Sequence, residues 1–133
     1  MSAWVYNGEE LRDEQTVGYV GFVYQIVLPN GMRYLGKKSF TRATYKQVKG
    51  RRKKGRKASN WRDYWGSNTR LLTDLKDVDP TGCRREVLRL CKSKGEMSYY
   101  EAKNQFAYDV LLSGIFYNDW ISVRVSRKHL LKK

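Results

Sequence analysis

The chain has 133 residues and carries 27 Lys and Arg against 13 Asp and Glu, a net charge of +14 with an isoelectric point near 9.9. That length suits one domain able to bury about two-thirds of its unfolded surface, and that charge favours a polyanionic partner. No apolar run approaches ~18 residues and no leader-like segment is visible, so a membrane partner is excluded and a soluble cytoplasmic protein is expected.

Cys83 and Cys91 have no second Cys pair or His cluster beside them, and His129 is the only histidine. Zinc sites and Cys–His chemistry are thereby set aside, and the absence of a Gly-rich phosphate loop sets aside nucleotide hydrolysis. The two cysteines read as reduced core residues.

In chain order, residues 1–17 are acidic (Glu9, Glu10, Asp13, Glu14) and read as an N-terminal arm pinned by Trp4 and Tyr6. Gly21 to Lys38 follows as two strands about the Pro29-Asn30-Gly31 turn. Phe22, Tyr24, Ile26 and Leu28 alternate along the first strand, while Met32 to Leu35 returns and Gly36 is expected to end the second. The hairpin brings Tyr24 and Tyr34 to one end of a small sheet beside Lys37 and Lys38, where phenol hydroxyls next to positive charge suit a phosphodiester.

Residues 39–60 show no hydrophobic periodicity and read as a mobile basic loop inserted after the hairpin. From Lys37 to Arg62 there are twelve basic residues and no acid, whereas the rest of the chain has 15 bases against 13 acids. The charge is therefore a local patch, and Lys37, Lys38, Arg42, Lys49, Arg51, Arg52, Lys53, Lys54, Arg56 and Lys57 are its candidate contacts to a nucleic-acid backbone.

Trp61 to Ser67 closes the loop, with Ser67 as the expected N-cap of a helix that buries Leu71, Leu72 and Leu75 and ends near Asp77. Asp79-Pro80-Thr81-Gly82 is a turn, and Arg84 to Cys91 is a third strand by its alternation. Lys94-Gly95 reads as a break before a longer helix from Met97 or Ser98 to about Leu112. Tyr99, Ala102, Phe106 and Val110 form its expected apolar face, with Glu101, Gln105 and Tyr108 on the adjacent stripe. The expected fold is α+β: a small three-stranded antiparallel sheet flanked by helices over residues 18–120, then a basic C-terminal tail, 121–133.

Over Gly18 to Asn118 the sequence resembles the GIY-YIG nuclease family, and within it phage-type members similar to free-standing homing endonucleases. Val23-Tyr24 stands where the family has the Ile-Tyr of its first motif, and Tyr34-Leu35-Gly36 matches the second. DYWGSN, a Leu-rich helix, a basic strand and YYEAKNQF follow in the order of the phage subgroup. Phe22 replaces the first Gly of the name motif and Leu35 its Ile. The family arginine has two candidates, Arg42 and Arg62; Arg62 is preferred because WRDYWGS is the more structured segment.

The resemblance implies a DNA endonuclease with a single divalent cation, Mg²⁺, held by Glu101, whose hard carboxylate oxygen suits that ion. It also implies a site of Tyr24, Tyr34, Arg62, Glu101 and Asn118. Tyr24 would orient or deprotonate the attacking water, its pKa drawn down by Lys37, Lys38 and Arg62. Tyr34 would donate to a phosphate oxygen and Arg62 would clamp the phosphate. Asn118 would hold Tyr24 or the backbone of the metal site. Double-stranded DNA is the expected partner, with a phage protein as a further one and the oligomeric state open. The competing reading is a non-catalytic nucleic-acid-binding or DNA-packaging-associated protein on the same scaffold.

Overall fold

The computed structural model describes residues 3–122 and Arg127. The basic tail expected at 121–133, with His129, thus lies outside the described residues except at 121, 122 and 127.

The strands are β1 (Trp4–Tyr6), β2 (Glu9–Glu10), β3 (Gly21–Val27), β4 (Arg33–Ser39), β5 (Thr41–Val48), β6 (Arg51–Ala58) and β7 (Arg84–Cys91), and the helices α1 (Thr69–Leu75) and α2 (Lys94–Ala107). The α+β class holds, but the main sheet is five-stranded and mixed, in the order β2-β1-β7-β3-β4. The segment expected as an arm pinned by Trp4 and Tyr6 supplies β1, which runs parallel to β7 and buries Trp4 in the core. Trp4 also donates its indole N–H to the Trp61 carbonyl at 2.6 Å.

β3 is buried on both faces. Phe22, Tyr24 and Ile26 pack with Trp4, Trp61 and Leu71, while Val23 meets Leu35, Met97 and Phe116 beneath α2. Period-two alternation thus splits one strand between two apolar clusters. β4 is the edge strand and does not end at Gly36; it pairs with β3 through to Gly21↔Ser39. Outside it, Ile115 and Tyr117 exchange backbone hydrogen bonds with Arg33, each at 2.7 Å, so the chain after α2 covers the first half of that edge.

The expected basic loop is a separate two-stranded antiparallel ribbon, β5–β6. Its turn is Lys49-Gly50, both at positive φ (51° and 73°), the conformation that matches strand twist in a two-residue hairpin. Phe40 roots the ribbon, packing on Phe22 and Trp61 with ring centroids 5.2 and 5.1 Å away.

Both helices start differently from expectation. Asn68, not Ser67, caps α1, its Oδ1 accepting from Leu71 N at 3.0 Å; Leu71 is buried but Leu72 is exposed. α2 begins at Lys94 because Ser93 Oγ accepts from Glu96 N, while Glu96 Oε1 accepts from Lys92 N. Lys94 and Gly95 therefore form its first turn rather than a break. The buried face is Met97, Ala102 and Gln105, and Phe106 is exposed. Cys83 and Cys91 are buried thiols, and burial pushes Cys91 up to about 12.

Candidate active site

The edge strand organises the site because its residues alternate between the two faces of the sheet. Tyr34, Gly36 and Lys38 share the face of Tyr24, whereas Leu35 and Lys37 point toward α2. Tyr24 lies opposite Gly36, and its phenol runs across that glycine: a Cβ at position 36 would sit 2.7 Å from Tyr24 Oη and 3.1 Å from Tyr34 Cε2. Glycine is needed here for close approach rather than for a special φ.

Three tyrosines gather at this point. Tyr24 is 6.3 Å from Tyr34 and 6.1 Å from Tyr64 between ring centroids. Lys38 Nζ sits 4.1 Å from the centre of the Tyr64 ring. Tyr64 is held in turn by Arg85, which donates to its carbonyl at 2.9 Å. The Arg85 guanidinium is stacked 4.7 Å from the Trp4 ring and 4.5 Å from that of Trp65.

From the other face, α2 presents Glu101, whose side chain is only 15% exposed and whose Oε1 lies 3.5 Å from Lys37 Nζ. Lys37 Nζ also donates to Ser98 Oγ at 3.0 Å. Asn118 continues the ladder on β4 with its side chain: Oδ1 accepts from Leu35 N at 3.0 Å and Nδ2 donates to Leu35 O at 2.8 Å. Gln105 Nε2 donates to the same carbonyl at 3.2 Å. Tyr34, Lys37, Glu101, Gln105 and Asn118 together line a polar cleft of about 310 Å³ around the edge of β4.

Burial dominates the electrostatics. It pushes the Tyr24 phenol well above its ordinary value, and the neighbouring Tyr64 and Tyr34 add to the rise. The expected lowering by Lys37, Lys38 and Arg62 does not arise: burial, the neighbouring phenols and Glu101 all act upward. Tyr34 is raised by burial too, with the hydrogen bond from Ser67 opposing. Glu101 is raised by burial, with Lys37 opposing, and burial lowers Lys38.

Tyr24, Tyr34, Glu101 and Asn118 thus converge, although Tyr24 is 1% exposed and lies behind the cleft rather than in its wall. Arg62 does not join them. It pairs with Asp13 at 3.0 Å and lies over the Trp61 ring, in a separate concavity with Trp4, Glu10 and Arg85. Arg42 borders a trough of about 400 Å³ with Lys38, Arg56, Tyr64 and Lys94, and this trough shares Lys37 with the cleft. Lys49, Arg51, Arg52, Lys53, Lys54, Arg56 and Lys57 are all exposed on the ribbon. Tyr64, Arg85 and Gln105 were given no site role from sequence. The tyrosine in DYWGSN was a usable signal, but a buried arginine stacked on two tryptophans leaves none.

Among the described residues no three His, Cys, Asp or Glu gather. Glu101 is the half-buried carboxylate, and Asp119, which also lines the cleft, is 3.9 Å from Arg70. Gln105 Oε1 is buried and has no hydrogen-bond partner among the described residues. One carboxylate fits Mg²⁺, which keeps several of its waters.

A family model described as "Putative endonuclease segE, GIY-YIG domain" matches residues 4–121. No curated protein and no solved structure matches the chain significantly.

Proposed function

The chain belongs to the GIY-YIG nuclease family, and from that premise we propose that it is a Mg²⁺-dependent endonuclease hydrolysing phosphodiester bonds of double-stranded DNA. The carrying observation is the convergence of Tyr34, Lys37 and Glu101 from both faces of β4 on one cleft, joined through Lys37 to a trough lined by cations.

Glu101 would hold the ion through its carboxylate at the wall of the cleft. The bound ion supplies Lewis-acid charge at the scissile phosphate. Lys37, whose Nζ lies 3.5 Å from Glu101 Oε1 in the cleft, would meet a phosphate bound there. Tyr34, kept neutral by its raised pKa, donates to a phosphate oxygen. Arg42 takes the clamping role, since the guanidinium of Arg62 is committed to Asp13. Asn118 is a positioning residue: it fixes the Leu35 backbone between Tyr34 and Gly36. Tyr24 supports Tyr34 and Tyr64 as a neutral phenol, and acting as a base would require ligand binding to expose it.

That burial of Tyr24 favours the second reading, a DNA-binding protein without catalysis. Incubation of supercoiled plasmid with and without Mg²⁺, using the parent and Glu101→Gln, decides between them. Metal-dependent nicking or linearisation that falls by several orders of magnitude in Glu101→Gln, with DNA binding retained, is expected. Binding without metal-dependent cleavage in the parent, or equal cleavage by both proteins, defeats the catalytic assignment.

A further inference from the structure

We propose that the β5–β6 ribbon reads DNA sequence with one of its two faces, so that bases outside the cleft determine where the cut falls. This rests on the endonuclease reading above for the cut itself, but not for the binding.

The register separates the faces. Directly opposed residues share a face, so Thr41/Ala58, Ala43/Arg56, Tyr45/Lys54 and Gln47/Arg52 form one, and Arg42/Lys57, Thr44/Gly55, Lys46/Lys53 and Val48/Arg51 the other. Their chemistry differs. On the first face the side chains are already arranged: Arg52 stacks 4.0 Å from the centre of the Tyr45 ring, and Arg56 donates to Thr41 Oγ1 at 2.8 Å and to its carbonyl at 3.0 Å. The second face opposes like charges twice, Arg42 to Lys57 and Lys46 to Lys53, an arrangement that weakens a ribbon unless anions lie nearby. No acid lies between Lys37 and Arg62 to supply them.

Direction comes from the trough. Thr41, Ala43 and Arg56 of the first face line it, with Arg42 at the ribbon's root, and it shares Lys37 with the catalytic cleft. A duplex lying in the cleft and trough therefore meets the first face as it continues along the ribbon. A two-stranded ribbon fits the major groove, where Gln pairs bidentately with adenine and Arg with guanine. Gln47 and Arg52, opposite each other near the tip, are those two residue types. The like-charged second face then draws phosphates from the groove walls. Each strand has eight residues, a reach of roughly 25 Å at ~3.3 Å per residue. The bases read should lie within about 7 base pairs of the cut, at ~3.4 Å per base pair.

The test uses the full chain and a random-sequence duplex pool. Bound DNA is selected without Mg²⁺ and sequenced, and cleavage ends are sequenced with Mg²⁺. The parent should enrich a short base preference, and its cut ends should fall at a fixed offset from it. Gln47→Ala with Arg52→Ala should reduce that enrichment roughly tenfold to a hundredfold. Lys46→Ala with Lys53→Ala should keep the preference, weaken binding to every sequence and flatten the log–log salt slope by about 2. These exposed positions leave the core untouched, and melting curves matching the parent confirm intact protein. No enrichment by the parent, unchanged enrichment by the Gln47/Arg52 variant, or equal loss in both double variants overturns the proposal. A parent that selects sequence but does not cut overturns the endonuclease reading alone.

Discussion

The cleft at the β4 edge and the β5–β6 ribbon are continuous in the chain and opposite in construction. At the cleft, most polar side chains have an assigned partner: Asn118 and Gln105 hold Leu35, and Lys37 holds Glu101. The ribbon has no buried residue, is held by its backbone ladder and is rooted by Phe40. Preorganisation requires burial, and burial moves pKa values away from water's; a phosphate-binding surface requires charge left uncompensated. The protein separates these demands by placing them on different sheets. Substitutions in the cleft should accordingly change turnover and stability, and those in the ribbon affinity and salt response.

Arg42 stands at the junction and tests where that boundary lies. If it clamps the phosphate in the transition state, Arg42→Ala should lower turnover at saturating DNA by roughly 10². Arg62→Ala should leave turnover nearly intact and remove only the exposed tie to Asp13. Single-turnover rates at several DNA concentrations check both. A drop confined to Arg62→Ala would return the clamp to that residue, and a pure KM effect in Arg42→Ala would assign it to the ribbon's binding surface.

What was legible in the sequence divides along the same line. The β3–β4 hairpin and β7 announce themselves because alternating apolar residues record a buried sheet, and the β7 bounds Arg84–Cys91 are those expected. The ribbon records no core because it has none, so its eight-residue strands looked like a loop; only the Lys49-Gly50 turn signalled a hairpin. In α2 the Ser93-x-x-Glu96 cap was readable but was hidden by reading Lys94-Gly95 as a break. Of the expected apolar face, Ala102 and Val110 are buried, but Phe106 is exposed and Gln105 of the adjacent stripe is buried instead. Among the site residues, Tyr24, Tyr34, Glu101 and Asn118 come together, while Arg62 pairs with Asp13 of the N-terminal segment.

Gly36→Ala should sharpen the contrast from the cleft side. The added methyl meets Tyr24 Oη at 2.7 Å and Tyr24 Cζ at 2.9 Å, both within the rigid cluster around Tyr64. Overpacking of this kind costs about 1–3 kcal/mol, and displacement of Tyr34 should lower cleavage as well. Gly55→Ala in the ribbon meets only Thr44 Oγ1 at 3.1 Å and should leave stability close to the parent's. Urea unfolding of the two variants measures the difference. Equal losses would mean that the ribbon is packed as tightly as the cleft, and the separation of roles would fail.

The smallest effect should come from the charge of Glu101 itself. Burial raises its pKa in the folded protein above the ordinary carboxylate value, despite Lys37. In the window between the ordinary and the raised value, the folded state binds more protons than the unfolded one, so stability falls as pH rises through it. Glu101→Gln has no proton to lose there. Without metal, the two proteins should melt alike below the ordinary carboxylate range, and the variant should become the more stable as pH rises through the folded pKa, with the gap constant above it. Mg²⁺ should narrow that gap by stabilising only the parent, because a ligand bound to the folded state alone raises its stability. Melting curves across pH, with chelator and then with Mg²⁺, follow both trends. A parent that gains on Glu101→Gln as pH rises would show that attraction to Lys37 outweighs burial. Glu101 would then be half of a structural ion pair, and the cleft would lose the destabilised charge that a cation is expected to relieve.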